Sequence, residues 1–244
     1  MLETFQNIFA PPRHMILLVI AAWLGLILAE RRAERHGVGK DDLNNIAFYG
    51  LIAFIVGGRI AYVLQNIAAF SKSPLGIVSI NPDLFDPLGG IAAGFIALLV
   101  YNRRKQIPFW NALDALTPIF AVIGIGLGLS NLASGNAFGI PTDLPWRIEL
   151  WNATRHPTQL YDTLASSLTL ILVWRFKPNF RPGIRFLLFA ALTAFSQLIT
   201  QAFRADSTFV LAGLRQTQVI AWVALMISFV LLEARFSSQK TITG

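Results

Sequence analysis

Long apolar runs alternate with short polar connections along this chain. Seven runs approach the roughly 20 mostly apolar residues that carry a helix across the hydrocarbon core of a bilayer: 14–30, 46–69, 84–101, 109–133, 159–175, 184–203 and 216–235. The pattern predicts an all-α, polytopic membrane protein, a bundle of seven transmembrane helices forming one transmembrane domain over residues 1–244. No polar or Pro/Gly-rich stretch is long enough to separate two domains. Glu30, Arg31 and Arg32 follow the first run at once, whereas a secretory signal carries its positive charge ahead of its apolar core. That run therefore reads as a retained span.

The charges between the runs predict an orientation. Thirteen of the 20 Lys and Arg residues fall in connections 31–45, 102–108 and 175–185 and in the C-terminal tail, among them Arg31, Lys40, Arg103, Lys105, Arg175, Lys177 and Lys240. Six lie in the alternate connections, and Arg59 lies inside a span. Cytoplasmic loops carry the Lys/Arg excess, so the N-terminus is expected outside and the C-terminus in the cytoplasm.

Composition strengthens the membrane reading. The chain is 55% hydrophobic and 14% charged, against about 25% charged for an ordinary soluble domain. The net charge of +7 sits in short loops and does not form a basic face, which excludes nucleic acid as a partner. There is no cysteine, so disulfides, thiolate metal sites and cysteine nucleophiles are excluded. His14 and His36 have no ligand-type neighbours in sequence, and neither a metal site nor a cofactor is expected.

The longest exterior connection covers about 135–158 and contains Pro141, Pro145, Trp146 and Trp151. It is long for a compact bundle, and its tryptophans suit the headgroup level. It leads into TRHPTQLYD, residues 154–162, the densest polar cluster beside an apolar run. Pro157 suits the first turn of a helix. His156 then sits at the cap, with Gln159 and Thr163 further along one face. An anionic headgroup there would meet the positive end of the helix and Arg155. The plainer alternative is a polar helix start with Tyr161 as interface anchor.

Arg59 lies well within the second run, and an ionisable residue at that depth is a candidate for function. Gly57 and Gly58 beside it permit close helix approach. Asp114 begins the fourth run and is expected at the opposite leaflet, so a phosphate or a carbonyl is the expected partner of Arg59. GIGLGLS at 124–130 contains GxGxG, but a dinucleotide fingerprint needs a preceding strand; helix packing is the expected role. Asn152-Ala153-Thr154 fits a glycosylation sequon by chance.

Several motifs resemble those of the bacterial prolipoprotein diacylglyceryl transferase family. RHPTQLYD at 155–162 is similar to the family's HPxQLYE, and GGRIAYVL at 57–64 is a second match. SNLASGNAFG at 130–139 is similar to the signature GRxGNFxNxExxG, LGG at 88–90 to a family double glycine, and FRAD at 203–206 to FFRxPD. The matches fall in order over roughly 50–206. The resemblance implies a seven-span, N-outside protein of the bacterial plasma membrane. It also implies transfer of diacylglyceryl from phosphatidylglycerol to the lipobox cysteine of a preprolipoprotein, with glycerol-1-phosphate leaving. By this resemblance His156, Asn131 and Arg204 are the candidate catalytic residues. Arg59, Arg155, Gln159, Tyr161 and Gly139 are candidates for binding phospholipid.

The chain also departs from the family. Leu88 stands where the family has a His before the double glycine. The signature Arg aligns with Gly128 and its acidic residue with Asn136. An Arg and a Glu of the sixth span align with Ser196 or Gln197 and with Gln201. A preorganised donor is worth about 2.7–4 kcal/mol to a catalyst of this type. Two expectations therefore stand side by side: a diacylglyceryl transferase with several catalytic positions lost, and a non-catalytic lipid-binding or scaffold subunit of a membrane complex on the same fold.

Overall fold

The computed structural model describes residues 2–79, 81, 84–175, 181–210 and 213–240, without the side chains of 238–240. Lys177 and the Lys240 side chain, both counted for orientation, lie outside the described residues. The chain is mostly helical. Its helices are α1 (Leu2–Ile8), α2 (Met15–Ala33), α3 (Lys40–Gln65), α4 (Ile67–Lys72), α5 (Pro87–Lys105), α6 (Phe109–Ser134), α7 (Thr158–Arg175), α8 (Ile184–Thr200) and α9 (Gln216–Lys240). Each of the seven predicted runs falls on a helix. Four stretches are long and apolar enough to cross a membrane: Lys40–Gln65, Phe109–Ser134, Ile184–Phe203 and Gln216–Ser237. The count thus falls short of seven for a stated reason. Charge ends α2 at Glu30, Arg31 and Arg32 and α5 at Arg103, Arg104 and Lys105, and α7 opens on a polar turn.

Large apolar side chains stand on the surface, among them Val19, Trp23, Leu164, Trp222 and Phe229, each more than half exposed. Scattered exposed leucines are ordinary, but continuous apolar faces on several long helices belong to a surface that lipid covers.

The chain is mostly helical, as expected of an all-α protein, and carries two short hairpins besides. Strand β1 (Ile148–Leu150) pairs antiparallel with β2 (Ala153–Arg155), and β3 (Phe209–Val210) with β4 (Leu214–Arg215). Trp151 and Asn152 join β1 to β2 with φ of 54° and 56°, the two positive values a two-residue hairpin turn requires. The Trp151 indole donates to the Gly135 carbonyl at 2.9 Å and ties the hairpin to the end of α6.

Packing divides the chain into two compact units. One comprises Met1–Arg32 and Leu113–Gly244, the other Ala33–Ala112. In the second, α3 and α5 meet through glycines. A Cβ on Gly57 would press into Ala93, one on Gly89 into Ala61, and one on Gly90 would lie 2.8 Å from the Phe54 carbonyl. The paired glycines of GGRIAYVL and LGG thus let two helix backbones touch. Asp86 caps α5 by accepting from the Gly89 amide, with Pro87 at the first helical position. Arg59 donates to the carbonyls of Ile77, Leu84 and Gly76, which pins those three residues onto α3. A carbonyl partner was one of the two expected for it.

In the other unit, α6 takes a neighbour on each side. Gly126 lies against Ala21 of α2, Gly124 against Ser166 of α7, and Gly128 against Thr163 and the Gln159 carbonyl of α7. The GxGxG stretch is therefore a helix-packing stretch, as expected. At the start of α6, the buried Asp114 carboxylate accepts from the amides of Gly183 (2.7 Å) and Phe186 (2.8 Å). It satisfies donors that the first turn of α8 cannot pair within the helix.

Candidate functional site

The site forms where α6 ends, α7 begins and α8 runs into its closing turn. After α6 the backbone extends through 138–142 with partners on both edges. Along one edge the His156 amide donates to the Ile140 carbonyl at 3.1 Å and the Thr142 amide to the Thr154 carbonyl at 3.0 Å. Along the other, the Ile140 amide donates to the Phe203 carbonyl at 2.8 Å and the Ala205 amide to the Phe138 carbonyl at 2.9 Å. Gly139 and Arg204 pair as an isolated bridge. One short strand therefore carries His156 on one side and Arg204 on the other. Gly139 makes this possible, because a Cβ there would lie 2.7 Å from that of His156.

His156 is 8% exposed. Its ring lies 5.0 Å from that of Phe203, and its Nδ1 is 3.2 Å from the Tyr161 hydroxyl. Tyr161 in turn accepts the Trp146 indole N–H at 2.8 Å. Trp146, Tyr161 and His156 thus form one hydrogen-bonded line.

The arginines are engaged within the protein. Arg204 grips Asp206 with two bonds of 3.0 Å, Nε to Oδ1 and Nη2 to Oδ2, the strong bidentate form of an ion pair. Arg155 donates from Nε to the Leu150 carbonyl (3.0 Å) and from Nη1 to the Gly139 carbonyl (3.2 Å), with its guanidinium 5.0 Å from the Phe138 ring. Among the described residues, carbonyls leave its charge uncompensated and three of its five N–H donors unspent. Arg215 donates to the carbonyls of Gln201 and Arg204, fastening the β3–β4 hairpin to the end of α8.

Below this rim runs a line of neutral amides ending on a carboxylate. The Ser207 hydroxyl donates to Gln201 (3.2 Å), Gln201 to Gln197 (3.1 Å), and Gln197 to Asp162 (3.2 Å). Gln201 is 2% and Asp162 9% exposed. Gln159 is fully buried. Its amide donates to the Asn136 carbonyl at 2.8 Å, and its Oε1 has no partner among the described residues.

Of the predicted site residues, the structure brings His156, Tyr161, Gly139, Arg155 and Arg204 together, with Gln159 in the first turn of α7. Asn131 lies near the end of α6, and its backbone carbonyl accepts from Ser134 at 3.3 Å. Arg59 belongs to the other compact unit. Sequence reasoning passed over Trp146 as a polar partner, Phe203 as the wall of the imidazole, Asp206 as the counter-ion and the Asp162–Gln197–Gln201 line. A signal existed for the last: two glutamines four apart in an apolar helix point the same way.

Fold and site together define a largely helical integral membrane protein with a polar site at the end of its apolar helices. The family model described as prolipoprotein diacylglyceryl transferase matches residues 13–233, and the chain belongs to that family. Among its relatives is the phosphatidylglycerol–prolipoprotein diacylglyceryl transferase of Finegoldia magna, 30% identical over 227 residues, covering 92% of this chain and 90% of the relative. The protein of the same name from Thermosynechococcus vestitus is 28% identical over 224 residues (86% and 83%), and that from Acaryochloris marina 30% identical over 224 residues (86% and 81%).

Proposed function

We propose that this chain is a seven-span protein of the bacterial plasma membrane, N-terminus outside and C-terminus cytoplasmic, that binds phosphatidylglycerol at its His156 end and serves diacylglyceryl transfer to a preprolipoprotein at a rate far below that of its relatives. The substrates are those in the relatives' names. The observation that carries the reading is the assembly of His156, Tyr161, Arg155 and Arg204 around Gly139, on the segments that match the family's motifs. The unspent donors of Arg155 and the imidazole suit a headgroup phosphate.

The slow rate follows from what transfer demands. A thiol of pKa about 8.5 must lose its proton as its sulfur bonds to the lipid carbon. The phosphate leaving with the C–O electrons must meet preorganised donors in a dry site. Here Arg204 is neutralised by Asp206, and the interior offers Gln197, Gln201 and the Asp162 carboxylate.

A second reading is a non-catalytic lipid-binding or scaffold subunit of a membrane complex. One observation favours it. Gly128, aligned with the family's signature Arg, packs against α7, and a Cβ there would lie 3.0 Å from the Gln159 carbonyl. The space for a side chain is closed as well as the side chain missing.

Lipid binding is tested by native mass spectrometry of protein released from mixed-lipid nanodiscs. Retained phosphatidylglycerol, bound roughly tenfold more weakly by Arg155→Gln, is the expected result, since a hydrogen bond to a charged group contributes about 1.5–3 kcal/mol. Equal retention of phosphatidylcholine by both proteins would overturn the headgroup site.

A further inference from the structure

The Trp146–Tyr161–His156 line has a direction. An indole N–H can only donate, so the 2.8 Å contact places a donor on the Tyr161 oxygen. The phenol has one proton left to give, and His156 Nδ1 lies 3.2 Å from that oxygen. Were Nδ1 to carry the ring proton instead, the Tyr161 proton would have no acceptor among the described residues. The arrangement that keeps every proton of the line bonded within the protein runs from Trp146 to Tyr161 to Nδ1 and leaves the imidazole proton on Nε2. Phe203 fixes the plane of the pair, with its ring 5.0 Å from His156 and 6.1 Å from Tyr161. The backbone beneath is held by Gly139.

We propose that Trp146 is a positioning residue: through Tyr161 it locks His156 as the Nε2–H tautomer, so that the imidazole offers a phosphate oxygen of an anionic headgroup a hydrogen-bond donor and does not serve as a base. The proposal rests on the reading of this end as a phospholipid site and deepens it. It gives a chemical reason for slow transfer, because an imidazole with Nδ1 engaged by Tyr161 and Nε2 protonated presents no free lone pair to a thiol. The charged groups around the ring are Arg155 beside it, Arg204 with Asp206 across Gly139, and Asp162 further along α7.

The test uses full-length protein with 15N-labelled histidine in phosphatidylglycerol nanodiscs at about pH 8, above the ordinary histidine range. The His156 signals are assigned by their loss in His156→Gln. Wild type is expected to show an unprotonated Nδ1 and a protonated Nε2. Trp146 is 57% exposed, so Trp146→Phe leaves the fold intact while removing the donor. It is expected to shift Nδ1 toward the protonated form and to weaken phosphatidylglycerol binding about fivefold, the value of one ordinary hydrogen bond. Tyr161→Phe should do at least as much, and the double variant no more than Tyr161→Phe, because Trp146 acts through Tyr161. A protonated Nδ1 in wild type, an unchanged spectrum in Trp146→Phe, or additive losses in the double variant would each overturn the proposal. The expected tautomer shift with no lipid affinity in any form would support the lock and overturn the phospholipid reading alone.

Discussion

A Cβ at residue 128 would press on the Thr163 hydroxyl and approach the Gln159 carbonyl to 3.0 Å. That single contact separates this chain from a family pattern that asks for an arginine there. Overpacking a closed interface costs about 1–3 kcal/mol. Gly128→Ala is expected to lose that much in detergent unfolding. Gly128→Arg should lose more, with no gain in transfer, because its guanidinium would have to part α6 from α7. A stable Gly128→Arg protein with raised transfer would count against the closed-helix account. At this scale the sequence was only partly legible. His156, Tyr161, Gly139, Arg155 and Arg204 could be picked from motif spacing, and they do meet. What they do with their hydrogen bonds could not be read. Arg204 was a catalytic candidate, and Asp206 of the same FRAD segment grips it with two 3.0 Å bonds.

Among the elements, the helices were the most legible part. The run at 109–133 corresponds to Phe109–Ser134 and the run at 184–203 to Ile184–Phe203, because apolarity over some twenty residues is a strong signal. The β1–β2 and β3–β4 hairpins were missed. Strands of two and three residues carry no period, and their pairing depends on contacts with 138–142 and the end of α8. Capping across elements was also hidden. Asp114 looked like an isolated charge near a helix start, yet its carboxylate closes the first turn of α8 through Gly183 and Phe186. Asp114→Ala would orphan one buried and one part-buried amide, at about 1–3 kcal/mol for the buried one. The expected outcome is a clear fall in unfolding midpoint, accompanied by faster hydrogen exchange at the start of α8. Unchanged exchange there would show that the cap contributes little.

For the whole molecule, the absence of cysteine makes topology measurable without background. The N-outside, seven-span arrangement proposed above would put Thr154 outside and Arg104 in the cytoplasm. Both residues are exposed on the protein. Thr154→Cys should react with an impermeant maleimide on intact cells, and Arg104→Cys only after permeabilisation; the reverse pattern would invert the molecule. Membership of the transferase family was legible from five short motifs, and the match over residues 13–233 agrees with it. Of those motifs, GGRIAYVL and LGG spend their glycines on the α3–α5 contact, and only the segments around 130–139, 154–162 and 203–206 build the His156 end. The central claim is that this end keeps the means to hold a headgroup and lacks the means to stabilise a departing phosphate. The most direct measurement is turnover: purified protein with phosphatidylglycerol and a lipobox peptide, beside an active relative, with diacylglyceryl-peptide counted by mass spectrometry. The account predicts a rate at least roughly a hundredfold below the relative's, the cost of a single lost donor in such a site. A rate equal to the relative's, from the same amount of folded protein, would contradict it.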